Sequence, residues 1–219
     1  MEAIQPERES ARETYRRMRK ISSHHASAAL KRIPKGRLLH AAKRLGLLTK
    51  QKVLVADSEE ELTLAFDLAL YSKWMERSTV IDIYRRSRPL VPGSEEERVL
   101  EAMCNTRFKL FSVLGPHPDA GLVVRDLFLQ EELWLMDEAL EQSAEEDTTL
   151  AARLFRPMDF WMTTGVGIPI NPLLIQELMR DFPSPAQDRS LLEGRNARFI
   201  ETVYMTAIAV GAMEQVVFR

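Results

Sequence analysis

The hydrophobic period of this chain changes twice, and those changes constrain its fold more than any other feature. Up to Cys104, apolar residues recur at the spacing of helices buried along one side. From Arg107 they alternate, or run together in short blocks broken by Gly, Pro and acidic pairs, which is the pattern of strands. At Asn171 the helical spacing returns. A run of helices, then strands, then helices does not make the alternating units of a parallel sheet, so the class is α+β. The expected organisation is a helical region over residues 1–105 with a basic arm, a small antiparallel β unit over 106–170, and helices over 171–219 packed on both.

Punctuation locates the elements. Residues 7–31 read as a helix with a narrow stripe, Ala11, Tyr15, Met18 and Ser22 or Ile21, ended by Pro34 and Gly36. A second helix, 37–48, carries Leu38, Leu39, Ala41, Ala42 and Leu45, with Gly46 near its end; the state of Val53-Leu54-Val55 stays open. Ser58 with Glu61 forms a capping box that opens a helix over 59–76 along Leu62, Phe66, Leu70 and Trp74. A short helix over 79–87 stops before Pro89, and Ser94 with Glu97 opens another that buries Val99, Leu100 and Met103. Strands are expected at 107–114, at 121–129 and 132–137 as a hairpin across Gln130-Glu131, and at 148–155 and 160–164, with Gly165 and Gly167 marking the exit. Five short strands fit a small antiparallel sheet curled into a barrel-like or SH3-like unit. Asn171-Pro172 starts a helix with Leu173, Leu174, Leu178 and Met179 on its buried face, before a connector with Pro183 and Pro185. A last helix over 192–218 follows Phe199, Val203, Ala207, Val210 and Met213 or Glu214, and its apolar middle suits deep burial or an oligomer contact.

Charge is strongly segregated. Residues 1–52 hold 14 Lys and Arg against 4 Glu, a net of +10, while the other 167 residues hold 16 cations and 28 carboxylates, a net of −12. Within the second part, residues 126–152 have no cation and nine carboxylates: Asp126, Glu131, Glu132, Asp137, Glu138, Glu141, Glu145, Glu146 and Asp147. Opposite fields of this size steer copies of a protein toward each other, or a polyanion toward the basic arm. One cysteine rules out an internal disulfide framework and a multi-cysteine zinc site, and the longest apolar run, Ala207 to Met213, is too short to span a membrane. With a charged N-terminal region, the expectation is a soluble cytoplasmic protein with no membrane partner.

The segments Gly121 to Leu127, Leu133 to Asp137, Leu150 to Leu154 and Phe160 to Gly165 resemble a β unit of an uncharacterised bacterial protein family. In some members that unit accompanies a C-terminal cysteine-rich zinc motif, which this chain lacks. The resemblance implies a bacterial cytoplasmic protein and brings no known activity.

Candidate chemistry is sparse. Arg8, Arg12, Arg16 and Arg19 fall within about 80° of arc on a helix; with Lys20, Lys31 and Arg32 they form a candidate anion or nucleic-acid face. The competing readings are a solvated face and docking of this arm on the acidic stretch. Trp134, Phe160 and Trp161 are candidates for a protein-binding groove, and adjacent Phe160 and Trp161 must point to opposite faces of a strand. His24, His25, His40 and His117 lack ligand spacing, Asp126 and Asp137 are placed across a hairpin on a solvated acidic edge, and Cys104 has no histidine partner, so no metal, cofactor or catalytic residue is assigned. Neither Ser184 nor Ser190 sits in a nucleophile elbow, and Thr163 to Gly167 lacks the phosphate-loop lysine. The function that fits best is a non-enzymatic protein that binds another protein or itself as a homo-oligomer. Nucleic-acid association through the basic helices comes second, and an enzyme with an unrecognised site third.

Overall fold

A computed structural model describes residues 6–51, 53–56, 58–73, 78–183 and 187–212. Trp74, Ser184, Pro185, Met213 and Glu214 lie outside the described residues. Helix α1 (Pro6–Leu30) runs for 25 residues because no glycine or further proline interrupts it. It buries Tyr15, Met18, Ser22, His25 and Ala29, so the predicted stripe continues through a histidine. That histidine donates to or accepts from the Tyr84 hydroxyl through Nδ1 at 3.1 Å, and its Nε2 is buried without a partner. Helix α2 (Lys35–Arg44) ends as a glycine stop: Gly46 has φ +76°, and the Leu47 amide reaches back to the Ala42 carbonyl at 2.8 Å.

Three further helices begin where side chains cap them. Ser58 accepts from the Glu61 amide at the start of α3 (Glu59–Tyr71). Thr79 and Asp82 form a reciprocal box on α4 (Val80–Arg86), and Ser94 accepts from the Glu97 amide on α5 (Glu95–Cys104). The expected stripe on α3 needs correction. Leu62 and Phe66 are half-buried, whereas Leu64, Ala65, Asp67, Leu68, Ala69 and Leu70 are buried, because α3 has neighbours on several sides.

The strands are β1 (Arg107–Pro116), β2 (Leu122–Asp126), β3 (Glu132–Leu135), β4 (Thr149–Phe155) and β5 (Met162–Pro169), antiparallel in the order β3-β2-β1-β4-β5. The sheet is not closed into a barrel, although one parallel bridge, Leu135 to Trp161, joins its margins at one corner. The β2–β3 connection is five residues long, 127–131, with Gln130 in the left-handed region at φ +57°, not a two-residue turn. Gly165 and Gly167 lie inside β5 and do not mark its end; the pairing of β4 with β5 shifts register between Ala152 and Leu154, and Gly165 takes φ +109°.

Both faces of the sheet are covered, which removes the usual polar-out alternation. Phe111, Val113, Leu122, Val124, Leu135, Leu150, Ala152 and Leu154 share one cluster with Leu140 of α6 (Glu138–Ser143), a helix inserted between β3 and β4. Phe108, Leu110, Ala151, Val166 and Ile168 face the other way, against α2, α3, α7 (Pro172–Asp181) and α9 (Ala197–Ala209). A third cluster joins α1, α4 and α5 to Met136, Phe155, Phe160 and Met162. On α7, Leu174 and Leu178 are buried but Leu173 and Met179 are exposed, against expectation. The predicted last helix starts later than residue 192, which ends a separate short helix, α8 (Arg189–Leu192); the chain turns at Gly194, φ +65°, and α9 starts after Asn196. Its apolar segment is mixed, with Ala207 and Ala212 buried and Ala209 exposed.

Alternation along β4 sends Leu150, Ala152 and Leu154 to one face and Ala151, Arg153 and Phe155 to the helical layer. Arg153 therefore meets Asp67 of α3, with Nε 2.9 and 3.2 Å from the two carboxylate oxygens. The Tyr204 hydroxyl of α9 donates to the same carboxylate at 2.6 Å. Removing one partner of such a buried pair costs about 3–5 kcal/mol, because the other charge stays uncompensated. Asp67→Ala should lose that much in urea unfolding, while the combination Asp67→Leu, Arg153→Met, Tyr204→Phe should lose clearly less. Burial lowers the His25 pKa from its ordinary value of 6.5. The unfolded chain therefore takes up a proton first as pH falls below ~6.5, and the native state loses stability on the acid side. His25→Phe should flatten the dependence of unfolding free energy on pH between about 7 and 5.

Candidate functional site

The basic face of α1 is turned onto acidic residues of the same chain. Arg8 and Arg12 donate to Glu141 at 3.3 and 2.7 Å, and Arg16 donates to Glu138 at 2.9 Å. Arg19 donates to Asp137 at 3.1 Å and to the Thr163 carbonyl at 2.7 Å. Asp137 also caps α6, accepting from the Ala139 and Leu140 amides at 3.1 and 3.2 Å, and takes the Thr163 hydroxyl. A cavity of about 530 Å³ lies along this seam, lined by Tyr15, Arg19, Asp137 and Thr163 among others. Burial raises the Tyr15 hydroxyl pKa, so it stays protonated; its oxygen is 3.4 Å from the Glu138 amide that donates to it.

Of the other candidate cations, Lys20 and Lys31 are exposed, and Arg32 lies over the Tyr84 ring at 5.1 Å and donates to Ser87. Arg37, also in the basic arm, is buried and donates to the carbonyls of Ser72 and Ser78. The acidic stretch is not simply a solvated edge. Asp126 and Asp137 do not face each other: Asp126 is buried against Lys109 and accepts from the Phe128 and Leu129 amides, which shapes the β2–β3 turn. Cys104 is a packed thiol whose pKa burial pushes up to about 12, far from nucleophilic.

The aromatic candidates divide. Trp134 and Phe160 meet edge to face at 5.4 Å between centroids and line a groove of about 660 Å³. Its walls are Ser10, Ala11 and Thr14 of α1, Met158, and the carboxylates Asp119 and Asp159. The indole N–H of Trp134 donates to the Ala120 carbonyl at 2.6 Å, and the His117 ring stacks on it at 4.2 Å and 8°. Trp161 turns to the other side and packs with the Phe111 cluster, while its backbone holds the groove: its N–H donates to Trp134 O and its carbonyl accepts from Met136 N–H, both at 2.8 Å. Asp119, Met158 and Asp159 were not among the sequence candidates, and His117 was weighed only as a metal ligand.

A model described as a family of unknown function, DUF7986, matches residues 9–206. The chain belongs to that family. The match takes in most of α1, the sheet and most of α9, so the groove residues and all of the α1–α6 seam except Arg8 lie within it. No curated protein and no solved structure matches the chain. Among the described residues no helix is long and apolar enough to cross a membrane.

Half-exposed ion pairs are worth about 0.2–1 kcal/mol each and weaken with salt. Glu138→Lys with Glu141→Lys replaces attraction by repulsion along the seam. Amide exchange over residues 8–19 should accelerate by roughly tenfold in that variant, and in the wild type it should rise with ionic strength. Unchanged exchange would show that apolar contacts alone hold this part of α1.

Proposed function

We propose that this protein is a non-enzymatic interaction protein, and that its recognition surface is the groove between α1 and β3. The occupant is a protein segment with an apolar or aromatic anchor beside Lys or Arg, supplied by another protein or by a second copy. The observation that carries this reading is the joint lining of one open groove by Trp134, Met158 and Phe160 and by the carboxylates Asp119 and Asp159. The indole N–H is already used by Ala120 and His117 stacks on one face of the ring, so Trp134 presents apolar ring surface to the groove and not a donor, which suits an apolar side chain. The two carboxylates favour a basic flank and disfavour an acidic one.

The α1 arginines support this reading over nucleic-acid binding. A phosphate at Arg8, Arg12, Arg16 or Arg19 would first have to displace Glu141, Glu138 or Asp137. On this reading the bridge between Leu135 and Trp161 serves to hold Trp134 at the groove. A packed Cys104 thiol suits the reducing bacterial cytoplasm.

Selection from a random peptide library, followed by calorimetry, tests the proposal. Selected peptides should share an apolar anchor beside a cation. Asp119→Asn with Asp159→Asn, and separately Trp134→Ala, should weaken them by roughly tenfold or more. Selected peptides without that pattern, or affinities unmoved by both variants, would overturn it. Light-scattering mass shows whether a second copy is the occupant. A duplex complex lost on substitution of the α1 arginines would favour the nucleic-acid reading instead.

A further inference from the structure

A separate cavity of about 300 Å³ opens where the end of α3 and the start of α4 meet β1, β4 and the α8–α9 turn. Its lining includes four cations, Lys73, Arg107, Arg153 and Arg195, and one carboxylate, Asp82. Asp82 is already engaged, accepting from the Thr79 amide at 3.2 Å and the Thr79 hydroxyl at 2.6 Å. Among the described residues no carboxylate forms an ion pair with Arg107 or Arg195. Arg107 reaches only the carbonyls of Asn105 and Thr106, at 3.5 and 3.4 Å. Its pKa is lowered first by burial and then by the charge of Arg195, against a smaller opposing effect of Glu193, so the fold holds two arginines together that repel.

The backbone enforces that closeness. The Gly194 carbonyl accepts from the Phe108 amide at 2.9 Å, and a Cβ on Gly194 would stand 2.5 Å from the Phe108 carbonyl oxygen. The turn is thus pinned to β1, which sets Arg195 beside Arg107. Arg153 gives a second, independent sign of a ligand. It is 3% exposed, its Nε is held by Asp67, and its Nη2 is buried with no partner. An unpartnered buried donor on a guanidinium costs free energy that a bound acceptor would recover. Ala197, the first residue of the 13-residue α9, lies in the same wall and adds the positive end of a helix dipole.

We propose that this cavity binds the phosphoryl group of a small phosphorylated metabolite. Arg107 and Arg195 clamp the anion, Arg153 adds its positive charge from the floor, and Lys73 closes the rim. Four cations less the charges of Asp82 and of Asp67, which neutralises Arg153 from behind, leave two positive charges for a phosphate dianion, and Glu193 beside Arg107 and Arg195 is itself paired with Arg189. Donors arriving from four separate segments suit a tetrahedral oxyanion better than a flat carboxylate, which a single arginine fork would satisfy. The site is independent of the groove between α1 and β3.

Calorimetry and thermal melting of the full chain with inorganic phosphate and with phenyl phosphate, at fixed ionic strength, test this. Saturable binding with a rise in Tm is expected, tighter for phenyl phosphate than for the free anion, and absent with chloride. Arg107→Gln with Arg195→Gln should weaken binding by roughly tenfold or more while leaving the unliganded Tm unchanged, since neither residue holds an ion pair. If that pair of changes lowers the unliganded Tm, Arg195→Glu alone, at the more exposed position, should still abolish binding. The same Tm rise with chloride, binding retained in these variants, or phenyl phosphate no tighter than inorganic phosphate would overturn the proposal. Trp134→Ala should leave phosphate binding intact, which separates the two sites.

Discussion

One buried carboxylate organises the join between sheet and helices. Asp67 sits mid-helix on α3 and accepts from Arg153 of β4, Tyr204 of α9 and, at 3.4 Å, Thr164 of β5. Apolar burial drives collapse but has no direction, so it fixes neither the rotation of a helix nor its height on a sheet. Hydrogen bonds from three other elements to one side chain do fix them. Burial opposes the Arg153 charge, yet Asp67 and the Tyr204 hydroxyl more than offset that, and the guanidinium holds its proton more tightly than usual. The Tyr71 ring at 5.1 Å covers its flat face. The Tyr204 hydroxyl, buried beside Asp67, is held well above its ordinary pKa and stays a donor.

Charge segregation along the sequence becomes charge neutralisation in space. The basic helix that suggested a polyanion partner lies along α6, and its cations are shared among Asp137, Glu138 and Glu141. The outer pairs are half-exposed and individually weak, so their effect is orientation more than stability. Asp137 differs from them: it is buried and connects α1, α6 and Thr163 of β5. The same α1 supplies Ser10, Ala11 and Thr14 to the groove wall. An electrostatic seam that sets the angle of α1 therefore also sets the width of the groove.

Helix boundaries were legible because caps and stops are local. Ser58, Ser94, Asn171 and Gly46 do in the structure what their residue types predict. Burial faces were less legible, because period analysis assumes one dry side. Helix α3 is dry on several sides, and β1 is buried on both of its faces. Helix α6 was missed because four of its six residues are polar and its single buried leucine, Leu140, gives no period. Trp134 and Phe160 could be singled out as large aromatics, but their partners Asp119 and Asp159 come from separate loops. Arg153 and the three cations around it come from four segments and no window contains them. The one sequence signal was Arg153 itself, a lone charge in the apolar block Leu150 to Phe155. Such a charge must have a partner to be buried, and here it has a partner and one donor to spare.

The doubly covered sheet explains where recognition chemistry can sit. One face encloses an apolar interior sealed by Leu140, and the other supports the helical layer, where the cavity beside Leu110, Leu178 and Phe199 is lined by apolar residues. Open volume remains where covering elements stop short of one another. The groove opens at the β3 margin, where the bridge to Trp161 ends the sheet and α1 passes over it. The cationic cavity opens where α3 ends, α4 begins and the Gly194 turn descends to β1. The first is rimmed by carboxylates and the second by guanidinium groups. The chain whose opposite charges neutralise each other along α1 and α6 thus gathers charge of opposite sign at two separate openings.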